Sequence, residues 1–225
     1  MSDAKNDLLA VLSKWWNATC PTKPNQSSPT VVLESMDNPG WHIRISGLPG
    51  SPTQDRSSRS ANRSTHDWIS ISVEASAVSG RCGPLNLCEL LWQCLDIIAG
   101  QKFMSEPVAP VQTYWHAHAS ATQPLDLCVR LAKWFINQCD YDWEHGEGIT
   151  LLADPEIGWT FSVETSDNKP LREDDLRILG RGVVDGQIEF LKEGSIFISK
   201  CPSQNVIFML SRVLEWLEED WKQFE

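Results

Sequence analysis

The second half of this 225-residue chain repeats the first at a nearly fixed spacing, which constrains its architecture more than any composition figure. Leu8–Cys20 (LLAVLSKWWNATC) lies over Leu127–Cys139 (LCVRLAKWFINQC), with Leu8/Leu127, Leu12/Leu131, Lys14/Lys133, Trp15/Trp134 and Cys20/Cys139 identical at an offset of 119. Gly40-Trp41 lies over Gly158-Trp159 at 118, and Cys82, Asn86, Leu91 and Leu95 fall on Cys201, Asn205, Leu210 and Leu214, again at 119. Three blocks in one order, with a single-residue gap, mark an internal duplication. The expectation is two homologous domains, residues 1–105 and 124–225. A linker over 106–123 is rich in proline and small residues, although Tyr114, Trp115 and His116 are aromatics that would dock back rather than stand in water.

Each copy reads as a helix, several strands and a closing helix, an α+β domain with an antiparallel sheet of about four strands. In copy one, Leu8, Leu9, Leu12, Trp15 and Trp16 recur at helical spacing until Pro21 and Pro24 stop the pattern. Strands are expected at Val31–Leu33 and Trp41–Ile45, separated by the turn formers Asp37-Asn38-Pro39-Gly40. A polar stretch from Ser46 to Thr65 reads as a loop; an alternating run over Trp68–Val73 and a helix over Leu85–Ala99 follow. Copy two repeats the order, with a helix over Pro124–Gln138 and strands at Ile149–Leu152 and Trp159–Val163. A hairpin turning at Glu193-Gly194 joins Ile188–Leu191 to Ile196–Ser199. The last helix carries Val206, Leu210, Val213, Leu214, Leu217 and Trp221 on one stripe and Glu215, Glu218, Glu219 and Asp220 on the other. Trp15, Trp134, Trp41 and Trp159, matched across copies, are core candidates.

Charge separates the copies. Residues 1–105 hold 9 Lys+Arg and 9 Asp+Glu, residues 106–225 hold 10 and 21, and the whole formal charge of −11 sits on the second copy. Nucleic acid is a poor partner for such a chain, because phosphate binding needs clustered Lys and Arg. A basic protein or a cation suits it better, and plain solubility is the competing explanation. No apolar run approaches the ~20 residues needed to span a bilayer, and no signal-peptide pattern opens the sequence, so a cytoplasmic location is expected. Seven cysteines, an odd and irregularly spaced set, read as reduced structural thiols. Cys82 and Cys201 match each other and have no arginine placed for an anion loop, so a strand-to-helix connection is expected at both.

The densest polar segment is Asp140-Tyr141-Asp142-Trp143-Glu144-His145-Gly146-Glu147-Gly148, after the first helix of copy two. It could support acid–base chemistry, hold a metal, present Trp143 as an anchor among acidic groups, or simply cap a strand through Glu144 and His145. Metal is disfavoured, since only His116-x-His118 offers a separated ligand pair; catalysis is disfavoured too, since no nucleophile sits in a recognisable motif. No cofactor is called for.

These residues resemble the immunity protein 53 family of bacterial polymorphic-toxin systems. The family pattern runs from a helix ending in Trp through Cys-Asp-x-x-Trp-Glu-His and Gly-Ile to an Asp-Asn-Pro-Gly-Trp turn. Copy two matches at Trp134, Cys139-Asp140, Trp143-Glu144-His145 and Gly148-Ile149, but its turn has become Asp154-Pro155-Glu156-Ile157-Gly158-Trp159. Copy one keeps Asp37-Asn38-Pro39-Gly40-Trp41 and has lost the Trp-Glu-His segment over Pro21–Thr30. The resemblance implies a non-enzymatic inhibitor that binds a cognate toxin, expected to be basic, by occluding its active or substrate site. The implied binding residues are Asp140, Asp142, Trp143, Glu144, His145, Glu147, Asp154 and Glu156, with Asp37, Asn38 and Trp41 as a secondary family turn. The chain is expected to be a monomer whose two domains imitate a dimer. A metal-dependent hydrolase using Asp140–His145 and a two-partner adaptor are the alternatives.

Overall fold

A computed structural model describes residues 7–20, 28–48, 58–99, 126–139, 148–165, 170–180 and 187–221. The expected linker, with Tyr114, Trp115 and His116, lies outside them.

In chain order, copy one contributes α1 (Leu8–Thr19), β1 (Thr30–Met36), β2 (Gly40–Ser46), β3 (Arg59–Asn62), β4 (Trp68–Val73), β5 (Ala77–Cys82) and α2 (Leu87–Ala99). Copy two contributes α3 (Leu127–Gln138), β6 (Ile149–Asp154), β7 (Gly158–Glu164), α4 (Glu173–Leu179), β8 (Glu189–Glu193), β9 (Ile196–Cys201) and α5 (Val206–Trp221). Cys82 and Cys201 each end a strand that leads through a 3-10 turn, Pro84–Asn86 or Ser203–Asn205, into the closing helix. Asn86 and Asn205 brace these turns in the same way, Asn86 Nδ2 donating to Asp67 Oδ1 at 2.9 Å and Asn205 Nδ2 to Gln187 Oε1 at 2.7 Å.

Three elements depart from the sequence expectation, one of them β5 (Ala77–Cys82), for which no strand range is expected. The polar stretch Ser46–Thr65 contains β3, an edge strand paired only with β4, and its sequence RSAN has no apolar alternation to betray it. The short helix α4 has no counterpart in copy one among the described residues. Asp175 holds its start, accepting from Arg172 N (2.7 Å), Arg172 Nε and Nη2 (both 3.1 Å) and the buried Trp216 Nε1 (3.1 Å).

All strands among the described residues belong to one sheet in the order β3-β4-β5-β2-β1-β6-β7-β9-β8, every neighbouring pair antiparallel. The copies meet where β1 pairs with β6, Val31 opposite Ala153, Leu33 opposite Leu151 and Glu34 opposite Thr150. At the offset of 118 that relates these strands, Leu33 faces its own counterpart Leu151. A pseudo-twofold axis therefore passes between these two leucines.

Alternation decides which face is covered. Val31, Leu33, Trp41, Ile43, Ile45, Ile149, Leu151, Trp159, Phe161 and Val163 point to the helices and are buried, whereas Arg44, Ser70, Ser72, Arg81 and Lys200 point away and are exposed. Gly80 on β5 lies close against α2, since a Cβ there would strike Leu90 Cδ1. The buried residues of both copies form one continuous core that includes Trp15, Trp41, Trp134 and Trp159.

Candidate functional site

The first helix of each copy crosses the pseudo-twofold and packs on the other copy. On the α1 side, Trp16 meets Trp159 of β7 edge-on with centroids 5.8 Å apart, and Ser13 Oγ and Asn17 Nδ2 point at Ser203 O at 3.4 and 3.5 Å. On the α3 side, Phe135 meets Trp41 of β2 at 4.7 Å. Phe135 is the counterpart of Trp16, and Trp41 of Trp159, so one contact is made twice. The fully buried Trp41 is a core residue of the family turn, its Nε1 donating to Pro84 O at 3.2 Å.

The crossing brings the two helix starts together. Asp7 Oδ1 caps α1 by accepting from Leu9 N (2.9 Å) and Ala10 N (3.2 Å), while its Oδ2 accepts from Leu127 N of α3 at 3.0 Å. Asp126, its counterpart, accepts from Cys128 N at 2.8 Å and also from the Leu8 backbone of α1. Two helix N-termini thus share two carboxyls, which the partial positive charge of both helices favours. Burial nevertheless raises both, and burial together with the facing Asp7 lifts Asp126 to about 7. Cys88 and Cys128 lie beside this pair, sulfur to sulfur at 2.8 Å, and none of the seven cysteines is joined in a disulfide.

Each copy's crossing also makes an end to the molecule where a helix terminus meets the other copy's turn. At the α1 end lies an open groove of ≈ 940 Å³, lined by Trp16, Asn17 and Cys20 of α1, Pro155–Gly158 of the β6–β7 turn, Gln187 and Glu189, and Lys200–Gln204. Asp154 shapes that turn, its Oδ1 accepting from Glu156 N at 2.8 Å and Ile157 N at 3.2 Å, which leaves Glu156 and Ile157 standing into solvent. At the α3 end the turn is Asp37-Asn38-Pro39-Gly40, with Asp37 and Asn38 exposed and Leu85 an exposed apolar neighbour on the adjoining 3-10 turn.

Of the residues expected to bind, Asp140, Asp142, Trp143, Glu144, His145 and Glu147 lie outside the described residues. Their segment enters β6 at Gly148, whose positive φ of 60° and contact with Ser35 Oγ leave no room for a side chain. Asp154 and Glu156 sit at the opposite end of β6, roughly 20 Å away at about 3.3 Å per residue. The groove residues Trp16, Asn17, Gln187, Glu189 and Lys200 were not anticipated; the reciprocal Asp7/Asp126 caps were legible as two aspartates at the same offset of 119, each preceding a helical pattern. Among the described residues no group of three or more His, Cys, Asp or Glu side chains is placed to hold a metal ion, and no helix is long and apolar enough to cross a membrane.

The two copies thus build one sheet with two differently decorated ends. Residues 9–99 and 128–218 each match the model of the immunity protein 53 family, and together these matches span most of the chain. The chain belongs to that family, as a tandem duplicated member. Comparison with curated proteins and with solved structures gave no match.

Proposed function

We propose that the protein neutralises a cognate basic toxin by direct protein–protein contact, acting as a monomer in the cytoplasm of the producing cell. Family membership supplies the class, an immunity protein directed against a toxin. The observation that carries the finer reading is the charge asymmetry: the entire −11 falls on residues 106–225. Asp140, Asp142, Glu144 and Glu147 cluster around Trp143 in that copy, the combination of an aromatic anchor and surrounding charge that speeds encounter with an oppositely charged partner and then holds it. Covering a basic active or substrate groove would block the toxin without any chemistry by the inhibitor.

The test is co-expression with the product of the neighbouring toxin gene. Rescue of growth and a co-purifying one-to-one complex are the expected results. Charge reversal at Glu144 and Glu147 should slow association and steepen its loss with salt. Full protection by that variant at moderate salt would refute the acidic segment as the binding element.

A further inference from the structure

We infer that Cys88 and Cys128 form an oxidisable dithiol, which a low-molecular-weight disulfide such as glutathione disulfide closes into a reversible covalent staple between the two copies. This goes beyond the toxin-binding reading and does not depend on it.

The geometry carries the first step. Cys88 is the second residue of α2 in copy one, Cys128 is the second residue of α3 in copy two, and their Sγ atoms stand 2.8 Å apart. Two sulfurs at that distance are inside van der Waals contact and less than an ångström from the bond length of a disulfide, about 2.05 Å. Closing the bond therefore asks for a small side-chain movement and no shift of either helix. Both helices are also held independently of the thiols. Asp126 and Asp7 cap the start of α3, and Leu87, Leu90 and Leu91 of α2 are buried in the shared core.

The pseudo-twofold supplies a second observation. Cys20/Cys139 and Cys82/Cys201 are matched across the repeat, but Cys88 falls on Ile207 and Cys128 on Leu9. At the symmetry-related positions the core is thus filled by two aliphatic side chains, Leu9 buried and Ile207 partly so. Packing alone does not call for sulfur at this place. Each copy departs from its counterpart at a different position, and the two departures meet in one contact across the seam.

Access sets the order of the chemistry. Cys88 is 7% exposed and Cys128 0%. Burial above all, then the Cys88 contact and the charges of Asp126 and Asp7, push the Cys128 thiol well up. Cys88 is therefore the first nucleophile: its thiolate attacks one sulfur of the small disulfide, expels a small thiolate and leaves a mixed disulfide. Cys128 gives up its proton, attacks the Cys88 sulfur and expels the second small thiolate. Two cysteine thiols and one small disulfide become one protein disulfide and two small thiols, so two electrons pass to the oxidant and both protons end on the released thiols. In a reducing compartment the pair rests as thiols.

The test is incubation of the full chain with glutathione disulfide at pH 8, then alkylation, digestion and peptide mass spectrometry, with melting before and after. The expected product is a linked Cys88–Cys128 peptide, two hydrogens lighter than its reduced parts. Tm should rise by about 5–15 °C for a closed loop of about 40 residues, and dithiothreitol should reverse the rise. Cys88→Ala and Cys128→Ala, each shown by melting in reductant to be folded, should form no such link and show no such rise. A repeat in denaturant just below the unfolding transition removes slow access as a cause of failure. Absence of the linked peptide under both conditions, predominant linkage of either residue to another cysteine, or a link that leaves Tm unchanged or lower overturns the inference. None of these outcomes bears on toxin binding.

Discussion

Replacing Asp126 with Asn should stabilise the protein at pH 8 and leave it slightly less stable, by about 1 kcal/mol for one lost hydrogen bond, near pH 4. Asn is as good an N-cap as Asp, so the oxygen that accepts from Cys128 N at 2.8 Å is kept, while the charge and one of the two acceptor oxygens shared with the Leu8 backbone are lost. In the folded chain, burial first and then the facing Asp7 raise the Asp126 carboxyl from 3.8 to about 7. Between these values the folded protein holds a proton that the unfolded chain has released, so stability from this group is full below about pH 4, declines as pH rises, and is gone above about pH 7. The shift corresponds to about 4 kcal/mol at most, at 1.36 kcal/mol for each tenfold in proton affinity. Solvent reaching the site and sharing of the proton with Asp7 reduce that, so the expected gain for Asp126→Asn is about 1–3 kcal/mol at pH 8, or roughly 3–10 °C in Tm for a chain of this length. The assay is denaturant unfolding of wild type and variant at several values between pH 4 and 8. Differencing the two curves at each pH removes other carboxylates such as Asp175, whose own titration pulls the opposite way. A difference independent of pH, or an Asn variant less stable than wild type at pH 8, would refute the account of two caps sharing one proton.

Other outcomes follow from the same contacts. Asp175→Ala should cost about 2–4 kcal/mol by leaving Trp216 Nε1 buried without its acceptor and Arg172 without its partner; burial pushes the Asp175 carboxyl up, but Arg172 and Trp216 outweigh it and hold it below 3.8, so this contribution is present above that value and fades as acid is added. Gly148→Ala should lower Tm by several degrees, since it strains a positive φ and drives a Cβ into Ser35 at the seam between copies. Of seven thiols, only the partly exposed Cys20 and Cys139 should react quickly with a thiol reagent at pH 8, because burial raises Cys82, Cys94, Cys128 and Cys201 and suppresses their thiolates; fast labelling of five or more would contradict the core. Leu151→Ala should cost about 2–5 kcal/mol and shift a single cooperative transition, whereas two separate transitions by calorimetry would show that the shared core does not couple the copies.

Much of each copy was legible locally. Apolar residues at helical spacing located α1, α3 and α5, short apolar runs located β1, β2, β6 and β7, and alternation located β4, because these elements each bury one face against the same layer. What stayed hidden has physical reasons. The edge strand β3 is half exposed on both faces and carries no period. Helix α4 (EDDLRIL) is set by a tertiary acceptor, since Asp175 must find Trp216 Nε1 41 residues away. Above all, nothing in the alternation of β1 or β6 says whether its far edge meets water or another strand, since pairing uses backbone groups that every sequence has. The crossing of the first helices was equally silent: Trp16 and Trp159 are each matched within the repeat, and the match does not tell which copy's sheet a helix covers.

That crossing changes what the duplication can accomplish. In a homodimer with the same arrangement, each end would combine a helix from one subunit with a turn from the other, and twofold symmetry would force both ends to be identical. Fusing the copies removes the constraint, and the ends have parted. Trp41 Nε1 reaches Pro84 O, but its counterpart Trp159 Nε1 is buried with no hydrogen-bond partner, and the equivalent carbonyl of Ser203 is approached by Ser13 and Asn17 instead. The Cys88–Cys128 contact has become Ile207 and Leu9 at the symmetry-related positions. Charge has parted as well, and here asymmetry has a physical advantage: repeating the acidic copy twice would more than double a self-repulsion that already opposes compaction.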